Sequence, residues 1–206
     1  MNAKENSRKS FDKQAATYDT GKYGAHSRRQ YNYILNKISE YNISSLLDVG
    51  CGTGEMLRLI SETFPKIELR GVDISPNMLD KAKSKIGNAA NLILSDSEKL
   101  PFDDNSFELV MCNDSFHHYP SPLNVLSEFH RVLKPKGILL ISDYCIGFPI
   151  RQLMNIFIKY SNDGDVRIYS KKEYLKMLSD SSFRDINYEK INTTGCLITA
   201  KKWSKV

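Results

Sequence analysis

The stretch Leu46–Leu57, LLDVGCGTGEML, decides the reading of this chain. Leu46, Leu47 and Val49 are strand-type residues around a single carboxylate, Asp48, and Gly50, Gly52 and Gly54 then alternate with small residues before a helical run begins at Glu55. That order describes a strand, a tight turn and a helix start. Glycines at these positions let the backbone take positive φ and let a ligand approach the peptide plane. A helix entered directly afterwards presents unpaired N–H groups and a positive dipole end to the same crevice. Asp48 repels phosphate and attracts cationic or donor-rich groups. A ligand carrying positive charge is therefore expected.

Working outward, residues 1–25 are polar but punctuated by Phe11, Tyr18 and Tyr23, which suits a partly ordered cover packed on the body. From His26 to Tyr41, the positions Tyr31, Ile34, Leu35 and Ile38 fit an amphipathic helix on a sheet face, with Tyr23, Tyr31 and Tyr33 read as packing residues. Beyond the turn come a helix to Phe64, a strand ending at Asp73, and a helix capped by Ser75 with Pro76 first in the helix. Asn91–Asp96 and Glu108–Cys112 read as further strands. Ser121–Leu133 reads as a helix stopped by Pro135 and Gly137, and Gly137–Asp143 as strand five. In residues 144–170 the apolar mix of Phe148, Ile150, Leu153, Met154, Ile156 and Phe157 could roof a pocket. The end of the chain reads as a helix and two closely joined antiparallel strands. Alternating strands and helices, several strands continuously apolar, imply a doubly wound and mostly parallel α/β sheet with a reversed strand near its edge.

Such sheets bind ligands beyond the carboxyl ends of their strands, near the point where strand order reverses. Asp48, Asp73 and Asp96 fall at three of those ends. Asp73 lies about 20 residues beyond Gly54, the interval at which a second-strand carboxylate receives ribose hydroxyls, so a nucleoside is implied. Asp96 is placed to receive an exocyclic amine of adenine, with Ile74 and Met78 against the ring.

These residues resemble the class I S-adenosylmethionine-dependent methyltransferases, in particular the small-molecule branch that includes ubiquinone and menaquinone biosynthesis enzymes. LDVGCGTG is similar to that family's first motif, GVDISPNML to its second, SDSEKLPFDDNSFELVMCNDSFHHYPSP to its third and fourth, and RVLKPKGILLISD to its fifth-strand segment, while FDKQAATYD resembles the N-terminal signature. The resemblance implies a seven-stranded Rossmann-like sheet in a single methyltransferase domain over residues 1–206, with 1–25 as cover and 144–170 as a substrate-side insertion. It implies S-adenosyl-L-methionine as cofactor and S-adenosyl-L-homocysteine as product. Gly50, Cys51 and Gly52 would approach the methionine part with Asp48 beneath, Asp73 would hold the ribose, and Asp96 and Ser97 would read adenine. Asn113 would meet the methionine moiety, with Tyr18 as a lid contact. One departure is Ser182, where the family often has glycine before the Phe of strand six.

His117 and His118 follow strand four on the side expected for the methyl acceptor, where one could act as a general base or both could simply cap and pack; Asp114 and Tyr18 are weaker candidates. An electrophilic sulfonium methyl asks the protein mainly for alignment and exclusion of water.

The 206 residues suit one domain, and 41% hydrophobic with 26% charged residues is an ordinary globular balance. No apolar run approaches the roughly 20 residues of a membrane span, and the polar start MNAKENSRKSFDKQ lacks a signal-type apolar run, so a cytoplasmic location is expected. The four cysteines form no C-x-x-C pair, and no metal site is expected. The net charge of +5 is dispersed, which does not indicate nucleic acid as a partner. The partner expected is a small-molecule methyl acceptor, with oligomeric state left open. A nicotinamide dehydrogenase is disfavoured because the turn reads G-x-G-x-G rather than G-x-G-x-x-G. A catalytically silent cofactor-binding protein and an RNA methyltransferase are the remaining alternatives.

Overall fold

A computed structural model describes residues 3–158 and 164–203, so residues 1–2 of the expected cover and 159–163 of the expected insertion lie outside the described residues. The elements run α1 Ala3–Gln14, α2 Ala25–Arg28, α3 Tyr31–Ser39, β1 Ser45–Val49, α4 Glu55–Thr63, β2 Glu68–Asp73, α5 Pro76–Ile86, β3 Asn91–Leu94 and β4 Phe107–Asn113. After a 3-10 turn at Phe116–His118 come α6 Pro122–Val132, β5 Leu133–Tyr144, α7 Ile150–Ile158, α8 Lys171–Asp180, β6 Phe183–Lys190 and β7 Gly195–Lys202. The sheet order is β3-β2-β1-β4-β5-β7-β6. β1 to β5 pair in parallel, and β7 runs antiparallel to both its neighbours. The expected reversed strand next to the edge is present.

Side chains alternate across the sheet and divide the core in two. Leu46 and Leu109 face Ile34 and Ile38 of α3 together with Leu57, Ile60, Leu79 and Ala82 of α4 and α5. Their neighbours Leu47 and Val110 face the other way, toward Val125, Leu126 and Phe129 of α6 and Tyr174 and Leu178 of α8. Strands buried on both faces must be apolar along their whole length, which is why β1 lacks the alternating pattern of a half-exposed strand. The crossovers change sides between β1 and β4 and open a crevice at the carboxyl edge.

Five local expectations differ from the structure. The N-terminal segment, expected as a partly ordered cover, is helical over α1 and held by side-chain contacts to α5 and to the loop after β3. The expected helix His26–Tyr41 is divided at Arg29–Gln30, where Gln30 is buried and bonds His26 and Ser142, so packing of a polar side chain overrides helical continuity. Strand β3 ends at Leu94, which leaves Asp96 in a loop. Pro135 and Gly137 lie inside β5, at an irregularity where Leu133 pairs with Phe107 and the ladder resumes at Ile138 with Leu109. The apolar side chains Phe148, Ile150, Leu153, Met154, Ile156 and Phe157 are exposed, and none of them lines the two chambers described below.

Ser182 ends the turn after α8 at φ +63, a left-handed conformation that disfavours any residue with a Cβ. Ser182→Gly is therefore expected to stabilise the fold by about 0.5–1 kcal/mol, the part of that strain not offset by the freer unfolded chain. Urea unfolding measures it, and a lowered midpoint would show that the serine side chain contributes more than its backbone strain costs.

Candidate functional site

The turn after β1 is stitched to β2. The N–H groups of Gly50 and Cys51 both donate to the Val72 carbonyl, at 2.8 and 3.0 Å. Gly50, Gly52 and Gly54 all have positive φ. A Cβ on Gly50 would collide with Ser115, and one on Gly54 with Ile86 and Ala82 of α5, whereas one on Gly52 would meet nothing within 4 Å. Two of these glycines thus serve close packing, and the third leaves its space to the crevice.

Asp73 closes the arrangement. Its Oδ2 accepts from the Gly52 N–H at 2.8 Å and its Oδ1 from the Ser75 N–H at 2.8 Å, and Ser75 Oγ in turn accepts from Met78 N–H to cap α5. Each carboxylate oxygen keeps a second lone pair, so Asp73 can still receive hydroxyl donors from the crevice that it lines. Burial pushes its pKa up to about 6 against the pull of those backbone donors. Asp48, directly below the turn, is 2% exposed and its Oδ1 has no partner. Burial, then the charge of Asp73, pushes its pKa up to about 8.

The crevice is lined by the turn after β1, the loop after β3 and helix α1. Of the sequence-predicted residues, Tyr18, Gly50, Gly52, Asp73, Ile74, Met78, Asp96, Ser97 and Asn113 line it. Two others do not. Asp48 sits behind the wall, and the Cys51 thiol packs into the core beside Gly71, where burial pushes its pKa up. Asn113 donates to Ser27 Oγ at 2.9 Å while its buried Oδ1 lacks a donor. The unpaired Asn113 Oδ1 suits a ligand N–H in the crevice, while Asp48, behind the wall, acts on a ligand only through its field.

Helix α1 forms the outer wall, contributing Lys4, Ser7 and Phe11. Lys4 Nζ pairs with Asp96 Oδ2 at 2.7 Å and Glu98 Oε2 at 2.9 Å, and Asp12 Oδ1 accepts from Ser75 Oγ at 2.6 Å. Asp19, after the helix, accepts from Thr53 Oγ1 at 2.5 Å and pairs with Lys85 at 2.7 Å. Sequence reasoning placed a cover here but missed Lys4, Ser7 and Asp12, whose signal is only a charge pattern within one helix.

A second chamber adjoins the first and shares Phe11, Tyr18, Asp114 and His118 with it, while Gln14, Lys22, Tyr23, His117, Tyr144 and Asp165 line the rest. Tyr23 therefore faces a chamber rather than only packing on a helix. His117 donates its backbone N–H to Asp143 Oδ2 at 3.0 Å, and its Nδ1 lies 2.5 Å from Asp143 Oδ1. Burial opposes the charge on His117, but the Asp143 carboxylate overcomes it and raises the pKa well above the ordinary imidazole value. Burial, followed by the His117 charge, pushes His118 down to about 4. His26 Nδ1 meets Asp114 Oδ1 at 2.6 Å, and the His26 ring stacks on Tyr144 with centroids 3.7 Å apart. Asp143, Asp165 and His26 were missed in the sequence. Asp143 could have been found as a further strand-end carboxylate; Asp165 carries no local signal.

Residues 47–141 match the family described as "Methyltransferase domain". The demethylmenaquinone methyltransferase of Staphylococcus epidermidis is 33% identical over 158 residues, covering 73% of this chain and 65% of that protein. The malonyl-[acyl-carrier protein] O-methyltransferase of Priestia megaterium is 30% identical over 141 residues, covering 66% and 50%. The chain thus spans less than two thirds of the length of these relatives. Among solved structures, the phosphoethanolamine N-methyltransferase 2 of Haemonchus contortus, in complex with S-adenosyl-L-methionine, superposes with a TM-score of 0.75 at 20% identity over 85% of this chain and 53% of that one. Sheet order, glycine turn and sequence relatives agree: residues 47–141 form a methyltransferase domain, and the chain resembles the class I S-adenosylmethionine-dependent methyltransferases of quinone biosynthesis.

Proposed function

We propose that this protein transfers the methyl group of S-adenosyl-L-methionine to an O, N or C centre of a small molecule. The observation that carries this reading is the pair of adjoining chambers, one lined by Asp73 and the unpaired Asn113 Oδ1 and the other by His117, His118 and Asp165. The names of the relatives, a demethylmenaquinone methyltransferase and a malonyl-[acyl-carrier protein] O-methyltransferase, support a quinone or an acyl group as the acceptor classes to test.

In this reading Asp73 receives the ribose hydroxyls, Ile74 and Met78 contact the adenine, and Asp96 with Ser97 reads its edge. Gly50 and Gly52 admit the methionine part, and Asn113 Oδ1 and the field of Asp48 meet its positive charge. Bound there, the cofactor supplies an electrophilic sulfonium methyl. Phe11 and Tyr18 stand at the boundary between the chambers and exclude water from the line of transfer. His117 and His118 lie on the acceptor side, where His118, held neutral by burial and the His117 charge, has an imidazole lone pair that can take a proton from the acceptor. Residues 1–25 act as the cofactor cover and 144–170 as the acceptor-side segment of one domain. Among the described residues no helix is long and apolar enough to cross a membrane, and we place the reaction in the cytoplasm.

Calorimetry with S-adenosyl-L-methionine and with NAD, followed by assay of S-adenosyl-L-homocysteine release over a panel of small-molecule acceptors, tests the reading. Binding of the first ligand, not the second, with acceptor-dependent release is expected; tight NAD binding alone would sink it. Asp73→Ala should weaken cofactor binding by about 1–3 kcal/mol, the range for hydrogen bonds to a charged group, checked by calorimetry on a variant whose melting shows it folded. Unchanged affinity would remove Asp73 from the ribose role.

The pH dependence follows from Asp48. A cationic ligand favours the ionised carboxylate, so binding lowers a pKa that stands at about 8 in the free protein. Below that value binding must release a proton, so affinity should rise from pH ~6 toward ~8 and level off above. In Asp48→Asn the slope should flatten, and a slope that persists in this variant would assign it to another group.

A further inference from the structure

In the second chamber His117, His118 and Asp165 converge more closely than a single general base requires. His117 Nε2 lies 3.5 Å from Asp165 Oδ1, and His118 Nδ1 lies 3.2 Å from the same oxygen. The three ligand atoms all fall within 4.8 Å of one another. Two donors each held at about 2.0–2.1 Å from a tetrahedral ion stand about 3.3 Å apart. The two separations from Asp165 bracket that value, and the third, between the imidazole nitrogens, is at most 4.8 Å.

Two independent features point the cluster toward a ligand. His118 is 9% exposed, and its Nδ1, although close to Asp165, makes no hydrogen bond. His117 has its other nitrogen, Nδ1, fixed by the fully buried Asp143, whose second oxygen is held by the His117 backbone and by the Tyr174 hydroxyl. A carboxylate behind a histidine is the arrangement that orients a metal-binding imidazole and fixes its tautomer. The neighbouring group of Asp114, His117 and Asp143 is a poorer cage, because Asp114 is engaged by His26 and Asp143 by these donors. Asp165, 32% exposed, opens onto the chamber and leaves the remaining coordination positions to solvent or ligand.

We propose that His117 Nε2, His118 Nδ1 and Asp165 Oδ1 form a divalent transition-metal site of the two-histidine, one-carboxylate type. Two imidazoles with one carboxylate suit zinc, cobalt(II) or iron(II) rather than magnesium or calcium. Binding exchanges any proton held between these groups for the ion, and the proton leaves to solvent. An ion there has open positions facing the chamber, where an oxygen of the acceptor could coordinate and lose its proton more readily. This last role rests on the proposed methyl transfer; the site itself does not.

The test is titration of chelator-treated, untagged protein with cobalt(II), followed by visible absorption, and with zinc by calorimetry, without cofactor or acceptor. One equivalent should bind, giving the absorption of cobalt ligated by nitrogen and oxygen. Asp165→Ala and His118→Ala should each abolish that spectrum while leaving circular dichroism and melting unchanged. Asp143→Asn should weaken binding by about 10- to 100-fold, as loss of a carboxylate behind a ligating histidine does. Absence of a cobalt spectrum in the wild type would overturn the proposal, as would binding that survives unchanged in a folded Asp165→Ala protein. Either failure leaves cofactor binding, and with it the methyl-transfer reading, standing.

Discussion

The Asp73 carboxylate is the constraint on which the site depends. It joins the N–H of Gly52, in the turn after β1, to the N–H of Ser75, at the start of α5, so one side chain fixes the relative position of two successive β-α connections. That bridge is possible only because β1 and β2 are parallel neighbours in register, with Val49 opposite Val72. It also carries a cost. A buried carboxylate beside another buried carboxylate, Asp48, is stable in its charged form only to the extent that donors reach it. Asp73 has two backbone donors; Asp48 Oδ1 has none. Asp48 therefore stays largely protonated near neutral pH until a cationic ligand favours its charged form.

The outer wall obeys a different balance. Helix α1 is held over the crevice mainly by polar tethers, Lys4 to Asp96 and Glu98 and Asp12 to Ser75, with Phe11 as its aromatic contact to Tyr18 and His118. Lys4 and Asp96 are partly exposed, at 25% and 38%, and pairs of this kind contribute at most about 1 kcal/mol each. The cover is thus attached far more weakly than the core elements that it overlies. A wall of that strength can be displaced by a ligand that binds beneath it, and Asp96 can exchange Lys4 for another donor at small cost.

Much of this was legible in the sequence because the same local rules operate there. The glycine turn, the Ser75-Pro76 helix start and the continuously apolar strands announce themselves within a few residues, and strand-end carboxylates can be counted before strand order is known. What was hidden depends on contacts between distant segments. Nothing near Gln30 says that its side chain will be buried against Ser142 and interrupt a helix. Nothing in the polar run before Phe11 distinguishes a docked helix from a frayed end, since its partners lie on α5 and beyond β3. Cys51 shares the motif with Gly50 and Gly52, yet backbone geometry turns its thiol inward to the core.

The acceptor side illustrates that limit most fully. His117 and His118 were visible as a pair, but their chemistry is set by Asp143 at the end of β5, by Asp165 before α8 and by Tyr174 within α8. The Tyr174 hydroxyl donates to Asp143 Oδ2 at 3.1 Å, and Tyr174 itself is packed among Phe116, Tyr169 and Tyr188. An apolar aromatic cluster therefore fixes a hydroxyl, the hydroxyl helps to fix a carboxylate, and the carboxylate fixes the imidazole that faces the chamber. Because each link is buried, rotation of His117 would leave Asp143 without its close imidazole partner in a low-dielectric environment. The C-terminal helix thus governs the orientation of His117 without lining the chamber, so the geometry of the acceptor side belongs to the whole second half of the fold rather than to the motif after β4.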